Sequence, residues 1–501
     1  MWREQFGPPT SGTNGNPVTY NAYGEGADPI INANADLQDA AYKWTASGNG
    51  TNEWYIELAG GGDPGWAAEI NAVFLDGVYL QDAAAGSLSD HEFDYADNDE
   101  LGWSTVYIRD DTGDPDGSGV TIEGSVLDYA CYAWARSYNT FDGIHFEGGD
   151  SGCVHFGGGT SDYLIFQNCT ITKSASNGIR LRENCEYNTI DSCTVNYNGG
   201  SGVVFVAAST NGVISNNTIH NNGLNEDTKE DSGISGDCTT WTINGNTIYA
   251  NGNATGGNEG YAHGIYPGVS TTGCNIYDNT IHSHAYGKGI FMKGPGTIYR
   301  NKCYDNRAAG VGTGGNGAVD VVINIYYNLF WNNHEGISEN NKGAGDLTLN
   351  IYNNVFYENN DQTAGVNPSE IDINDDLTAL VVQNNIFSGD GAEYEFESPA
   401  QSAATINNNC WLNGDFYYDG AARNWAYWTA TAGFDANGLN TDPLMTNPGS
   451  DVFTLQAGSP CIDAGAHVGL FLDYAEHPVP MGHQPDIGAY EHKGGSNALF
   501  F

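Results

Sequence analysis

The chain has 501 residues, enough for two to four ordinary domains or for one long repeat domain with attachments. Sixty-eight glycines and an apolar set dominated by Ile, Val, Phe and Tyr suit pleated, half-buried surfaces and argue against long helices. With 62 acidic residues against 16 basic ones, the net charge of −46 excludes non-specific nucleic-acid binding and docking on an anionic membrane, and no run of 18 apolar residues offers a membrane-spanning helix.

In chain order, the opening MWREQFGPPT does not read as a signal peptide. Residues 32–130 follow no repeat and read as short strands between Gly/Asp turns, among them DDTGDPDGSG (110–119). Residues 1–130 are therefore taken as opening coils carrying a β-rich insertion.

A repeat then governs residues 131–410. One phrase recurs as ISNNTIHNN (214–222), INGNTIYAN (243–251), IYDNTIHSH (276–284), IYRNKCYDN (298–306), IYYNLFWNN (325–333), IYNNVFYEN (351–359) and VQNNIFSGD (382–390), with its central Asn at 217, 246, 279, 301, 328, 354 and 385. Weaker copies centre on Asn168 and Ser192 before it and Asn409 after it. A second phrase, Gly-Ile or Gly-Val after a small or polar residue, follows in most copies: NGIRLR (177–182), SGVVFV (201–206), SGISGD (232–237), HGIYPG (263–268), KGIFMK (288–293), AGVG (309–312) and EGISEN (335–340).

Each period holds three short strands and cannot bury an apolar face alone, so successive copies must stack about 4.8 Å apart as a parallel β-solenoid of about ten or more coils. Stacked Asn side chains can hydrogen-bond one another up the stack, which explains an Asn at the turn. Residues 411–501, with WLNGDFYYDGAARNWAYW (411–428), read as a cap over an exposed pairing edge.

These phrases, with SGTNGNPVTYNAYGEGADPII (11–31), SPCIDAG (459–465) and QPDIGAYEH (484–492), resemble the right-handed parallel β-helix proteins of the pectate-lyase-like superfamily. That resemblance covers most of the chain and implies an all-β fold, an extracellular setting (secreted, cell-surface or virion-associated) and a polysaccharide partner, as a monomer or a homotrimer. It does not fix the chemistry, because one scaffold hosts many activities.

Residues 173–307 carry nine of the sixteen basic residues and eleven acidic ones, a net of −2 against −44 for the rest. With each Ile of Gly-Ile pointing inward, alternation places Arg180 and Arg182, Tyr266, and Phe291 and Lys293 outward, and stacking places His263 beside Lys288. A uronate lyase must neutralise a carboxylate, remove the proton alpha to it and protonate the leaving oxygen. On that reading Lys288 or His263 is the base, Tyr266 or His282 the acid, and Lys293, Arg180 and Arg182 the carboxylate clamps. The alternatives are a glycoside hydrolase drawing a carboxylate pair from Asp237, Glu259 and Asp231, and a tailspike or adhesive surface protein without catalysis. Glu226, Asp227, Glu230 and Asp231 offer oxygen ligands for Ca²⁺, although the run matches no EF-hand loop. The ten cysteines show no CxxC. Cys169 and Cys193, one coil apart, suit either a disulfide or a buried thiol pair.

Overall fold

The computed structural model describes residues 1–24, 26–39, 43–58, 70–96, 105–182, 185–225, 231–252, 262–314, 320–339, 347–359, 369–373, 377–389, 393–396, 404–412, 414–418 and 420–493. The chain falls into two compact units, residues 1–236 with 250–262 and residues 237–249 with 263–501. Both are built from short parallel strands stacked in three sheets, the parallel β-helix that the repeat implies.

In the first unit one coil begins at the N-terminus. Val18–Asn21 pairs in parallel with Asn139–Asp142, Ile30–Asn32 pairs with His145–Glu147, and Phe6 bridges to Cys131. Between that coil and the next, the chain folds an antiparallel β insertion. Thr105–Arg109 pairs with Glu53–Glu57 and Glu92–Ala96, and Ile122–Ser125 pairs with Asn34–Asp36 and Val73–Leu75. The insertion has its own apolar core, including Leu37, Ile56, Leu80, Val106 and Ile108. In the 110–119 segment Asp114 caps a single helical turn, Pro115–Ser118.

Inside the coils identical positions stack. Phe141, Phe166, Ile190 and Ile214 follow one another in register in the first unit, and Ile276, Ile298, Ile325, Ile351, Val382 and Ile406 in the second, all buried. Each such side chain contributes roughly 1.5–3 kcal/mol of burial. Aromatic residues stack likewise: Phe356, Phe387 and Trp411 have ring centroids 4.7 and 3.9 Å apart.

The turn asparagines form a buried ladder. Asn246 donates its amide to Asn279 at 2.9 Å, and Asn279, Asn301, Asn328 and Asn354 each donate to the next at 3.0 Å, the last to Asn385. Asn385 donates to Asn409 at 3.1 Å, and Asp435 ends the ladder by accepting from Asn409 at 2.9 Å. The residue before each ladder position is often left-handed, as at Asp278 (φ 56), Arg300 (φ 53), Asn353 (φ 50) and Asn384 (φ 59).

That pattern corrects the register of the two weaker copies. Asn168 (φ 54) and Ser192 (φ 54) occupy the left-handed turn position, which tolerates Asn and small polar residues. Cys169 and Cys193 therefore take the ladder position, and the Cys193 amide donates to Asn217 Oδ1 at 2.8 Å. All ten cysteines are buried free thiols, so Cys169 and Cys193 are the thiol pair rather than the disulfide.

A second ladder runs one turn later, through Asn198, Asn222 and Asn251 in the first unit and through His284, Asn306, Asn333 and Asn359 in the second. It ends where Asn359 donates to Glu370 Oε2 at 2.6 Å.

Past residue 411, Asp415–Tyr418 continues one sheet and turns back on Ala421–Arg423, with Phe416 stacked on Trp428 at 4.4 Å. The SPCIDAG and QPDIGAYEH segments touch the late coils from the side, the Ala464 carbonyl accepting from Asn408 at 3.1 Å. They return along the flank of the second unit, where Asn353 donates to the carbonyls of Asp486 and Gly488 and Asn384 to that of Ala466. Ile487, Met445 and Phe453 pack there against Tyr327, Val355 and Ile386. Among the described residues no helix is long and apolar enough to cross a membrane.

Candidate functional site

Within the second unit, one sheet face gathers four of the residues singled out above. Ile265–Pro267, Ile290–Met292, Ala309–Thr313, Glu335–Glu339 and Ser369–Ile373 are successive strands of this sheet. Ile265, Ile290, Val311, Ile337 and Ile371 stack inward. The next residue on each strand forms the outward column: Tyr266, Phe291, Gly312, Ser338 and Asp372.

Lys288 precedes the Gly-Ile of its coil, yet its side chain does not stay there. Its Nζ donates to Ser338 Oγ at 2.7 Å, two strands away. Gly312 makes the passage possible, because a Cβ at that position would fall 2.3 Å from Lys288 Cδ and 2.8 Å from Cε. The ammonium also lies 5.3 Å from the Phe291 ring centroid. Only 9% of Lys288 is exposed, and that burial lowers its proton affinity, opposed by the nearby carboxylates of Glu335, Asp372 and Glu339.

His263 is 1% exposed and accepts the Lys288 backbone N–H on Nδ1 at 3.0 Å. Its ring meets those of Tyr266 and Phe291 edge-on at 5.3 and 5.1 Å. Burial, and then the Lys288 charge, push its pKa well below the usual histidine value, so it stands as a neutral ring orienting the Lys288 backbone. Tyr266 stacks on Phe291 at 5.6 Å, and Lys293 lies across both rings while donating to the Tyr266 hydroxyl at 3.0 Å.

The other singled-out residues lie elsewhere. His282, on Thr280–His282 of a different sheet, stacks between Tyr249 and Tyr304 at 5.1 and 4.7 Å and bonds to Ser283. Asp237 Oδ1 accepts the Ser270 amide at 2.9 Å and so holds a turn. Arg180 and Arg182 belong to the first unit, as does half-buried Asp231. Glu226, Asp227, Glu230 and Glu259 lie outside the described residues. Among the described residues no three His, Cys, Asp or Glu side chains are grouped as a metal ion would need.

Sequence reasoning missed Ser338, Asp372 and the carboxylates around Lys288. Asp372 is in register with Ser338 on one side and with Glu395 on the other, which puts two carboxyl-bearing residues at adjacent places on neighbouring parallel strands.

A family model described as a right-handed β-helix region matches residues 75–235, about a third of the chain. A comparison with curated protein sequences returned no match. Among solved structures, the chain is similar to XylC in complex with xylose at 14% identity and a TM-score of 0.55, over 98% of this chain and 92% of that one. It also matches a structure named as a glycoside hydrolase (10% identity, TM-score 0.49, 70% and 85% covered) and pectate lyase Pel9A (16%, 0.39, 72% and 79%). With the stacked sheets and ladders above, the chain is a right-handed parallel β-helix, the fold implied by its resemblance to the pectate-lyase-like superfamily.

Proposed function

We propose that this protein acts on a polysaccharide outside the cell and hydrolyses a glycosidic bond on the Lys288 face, with Asp372 and Glu395 as the working carboxylates. The observation that carries the reading is the place of Asp372 in the outward column beside the Lys288 ammonium, with Glu395 in backbone register on the next strand. Retaining glycosidases use two carboxyl groups, one as nucleophile and one as acid and then base. Asp372 attacks the anomeric carbon while Glu395 protonates the leaving oxygen; water, deprotonated by Glu395, then releases the sugar from Asp372. Lys288 supplies the fixed positive charge that orients Asp372, and the Tyr266–Phe291 pair offers a flat aromatic surface for a sugar ring. The similarity to XylC supports the fold of this reading and no more.

A second reading rests on the lowered proton affinity of Lys288, with Lys293 nearby. A lysine that releases its proton readily can serve as the base of β-elimination on a uronate, with Tyr266 as acid.

One assay separates them. The protein is mixed with neutral and uronate-containing polysaccharides, with and without EDTA, and followed by reducing-sugar release and by absorbance near 235 nm. Sugar release without new absorbance, abolished in Asp372→Asn and Glu395→Gln, is expected. New absorbance that survives both substitutions and disappears in Lys288→Ala overturns hydrolysis in favour of elimination, and loss with EDTA marks a Ca²⁺ requirement. Light scattering on the same sample distinguishes monomer from homotrimer.

A further inference from the structure

The flank of the second unit carries a cleft that the Lys288 chemistry does not use. Tyr357 and Ser388 are in register on Val355–Tyr357 and Ile386–Ser388, and Leu412 follows Trp411, the partner of Phe387, so the three residues make a short floor across neighbouring coils. The remaining apolar lining comes from Leu444, Met445 and Pro448 of the C-terminal segment, whose strand Met445–Asn447 pairs back on Val452–Leu455. The cleft has a volume of about 320 Å³, within the range of small-ligand sites.

Its polar lining is one-sided in charge. Glu358 and Asp442 both border the cleft, and no Lys, Arg or His does. Neither carboxylate has an ion-pair partner among the described residues, unlike Asp278 and Glu476, which share Arg300. Asp442 is anchored, since its Oδ1 accepts the Leu444 amide at 2.8 Å, and this leaves Oδ2 for a ligand. Gln456 donates to the Met445 carbonyl at 2.8 Å and keeps its amide oxygen. Ser388 is the independent sign of a ligand. It borders the cleft and is only 4% exposed, yet its hydroxyl has no hydrogen-bond partner among the described residues. Leaving such a group unpaired is costly, and a ligand hydroxyl would satisfy it.

We infer that this cleft binds an amino-sugar residue bearing a free amine: the ammonium meets Glu358 and Asp442, the apolar face of the pyranose lies against Leu412 and Pro448, and ring hydroxyls bond to Ser388 and Gln456. Hydrogen bonds between an ammonium and a carboxylate are roughly twice as strong as neutral ones, so two carboxylates without a cation favour the free amine over its acetylated form. The net charge of −46 draws a cationic glycan toward the protein. A lysine side chain offers the ammonium but no hydroxyl for Ser388, which makes a basic peptide the poorer fit. This site shares no residue with the Lys288 face and does not depend on cleavage there.

The test is calorimetric titration of the full chain in mildly acidic buffer, carrying Asp372→Asn to prevent turnover, with oligomers of glucosamine, of N-acetylglucosamine and of glucose, and with oligolysine. Binding of the glucosamine oligomer ahead of the other three is expected, and it should be roughly tenfold or more weaker in Glu358→Gln/Asp442→Asn. That double variant keeps the oxygen that accepts from Leu444, and thermal melting confirms that it folds. Ser388→Ala removes only the hydroxyl and should weaken the glucosamine oligomer roughly twofold to tenfold while leaving oligolysine unchanged. Equal affinity for the acetylated oligomer, preference for oligolysine, or unchanged affinity in the double variant, as diffuse attraction to an acidic surface would give, overturns the inference.

Discussion

Lys288 and Ser338 are fifty positions apart in the chain, yet the lysine Nζ donates to the serine Oγ at 2.7 Å by passing over Gly312. A solenoid normally restricts a side chain to neighbours on adjacent coils. Here a missing side chain on the intervening coil lets a cation reach the carboxylates of the next.

Gly312→Ala tests that passage. Its methyl would overlap the Lys288 stem, so the ammonium must leave Ser338. Overpacking of this kind costs roughly 1–3 kcal/mol. Glycoside hydrolysis should fall at least as far as in Lys288→Met, while the melting temperature falls by only a few degrees; full activity would show that the lysine position is immaterial.

For the chemistry itself, Asp372→Asn and Glu395→Gln should each reduce kcat by roughly a hundredfold to ten-thousandfold, with thermal stability retained. Kinetics on an activated aryl glycoside refine the roles, since a good leaving group should rescue Glu395→Gln and leave Asp372→Asn inactive.

The Asn ladder predicts a steep local cost. Asn301 donates to the carbonyls of Ile276 and Tyr299 and to Asn328, and accepts from the backbone and side chain of Asn279. Asn301→Leu leaves these buried groups unpaired and should cost about 2–5 kcal/mol. Denaturant unfolding measures this, with exposed Asn275→Leu as the near-neutral control.

Glu370 gives the fold a pH dependence of known sign. Burial pushes its pKa from 4.5 up to about 8. Between those values the native state holds a proton that the unfolded chain has lost, so this group makes stability fall as pH rises from about 4.5 to 8. Glu370→Gln cannot ionise and keeps one oxygen to accept from the Asn359 side chain, as the protonated carboxyl does. It should gain on the order of 4 kcal/mol over the wild type at pH 8 and almost nothing at pH 4, read from melting curves at both.

Thiol titration checks the cysteines. All ten are buried, and burial pushes the Cys185 thiol up to about 12. A disulfide-exchange reagent should find almost none in the native protein and ten after denaturation.

The first ladder was readable because each strong copy carries the same letter at the same place. At Cys169 and Cys193 that letter is replaced, and the polar residue one position earlier drew the register to Asn168 and Ser192. The second ladder lay in the same phrases, as the last Asn of HNN, YAN, YDN, WNN and YEN, but nothing in a one-dimensional pattern says that a turn residue faces inward. Asp372 was hidden because its coil lacks Gly-Ile: Glu370 stands where Gly336 stands in the coil before. His263 and Lys288 were legible as neighbours from spacing alone. The reach of Lys288 to Ser338 was not, since register describes backbones and this contact depends on a long side chain crossing a coil.

The insertion after the first coil has a consequence for assembly. The strand Val18–Asn21 finds its partner at Asn139–Asp142, more than a hundred residues later, whereas Thr189–Asp191 and Val213–Ser215 pair across a short loop. Closing the longer loop carries the larger entropic cost, and non-local contacts slow folding. The coil of Val18–Asn21 should therefore be the last rung to dock, completing a stack already nucleated downstream.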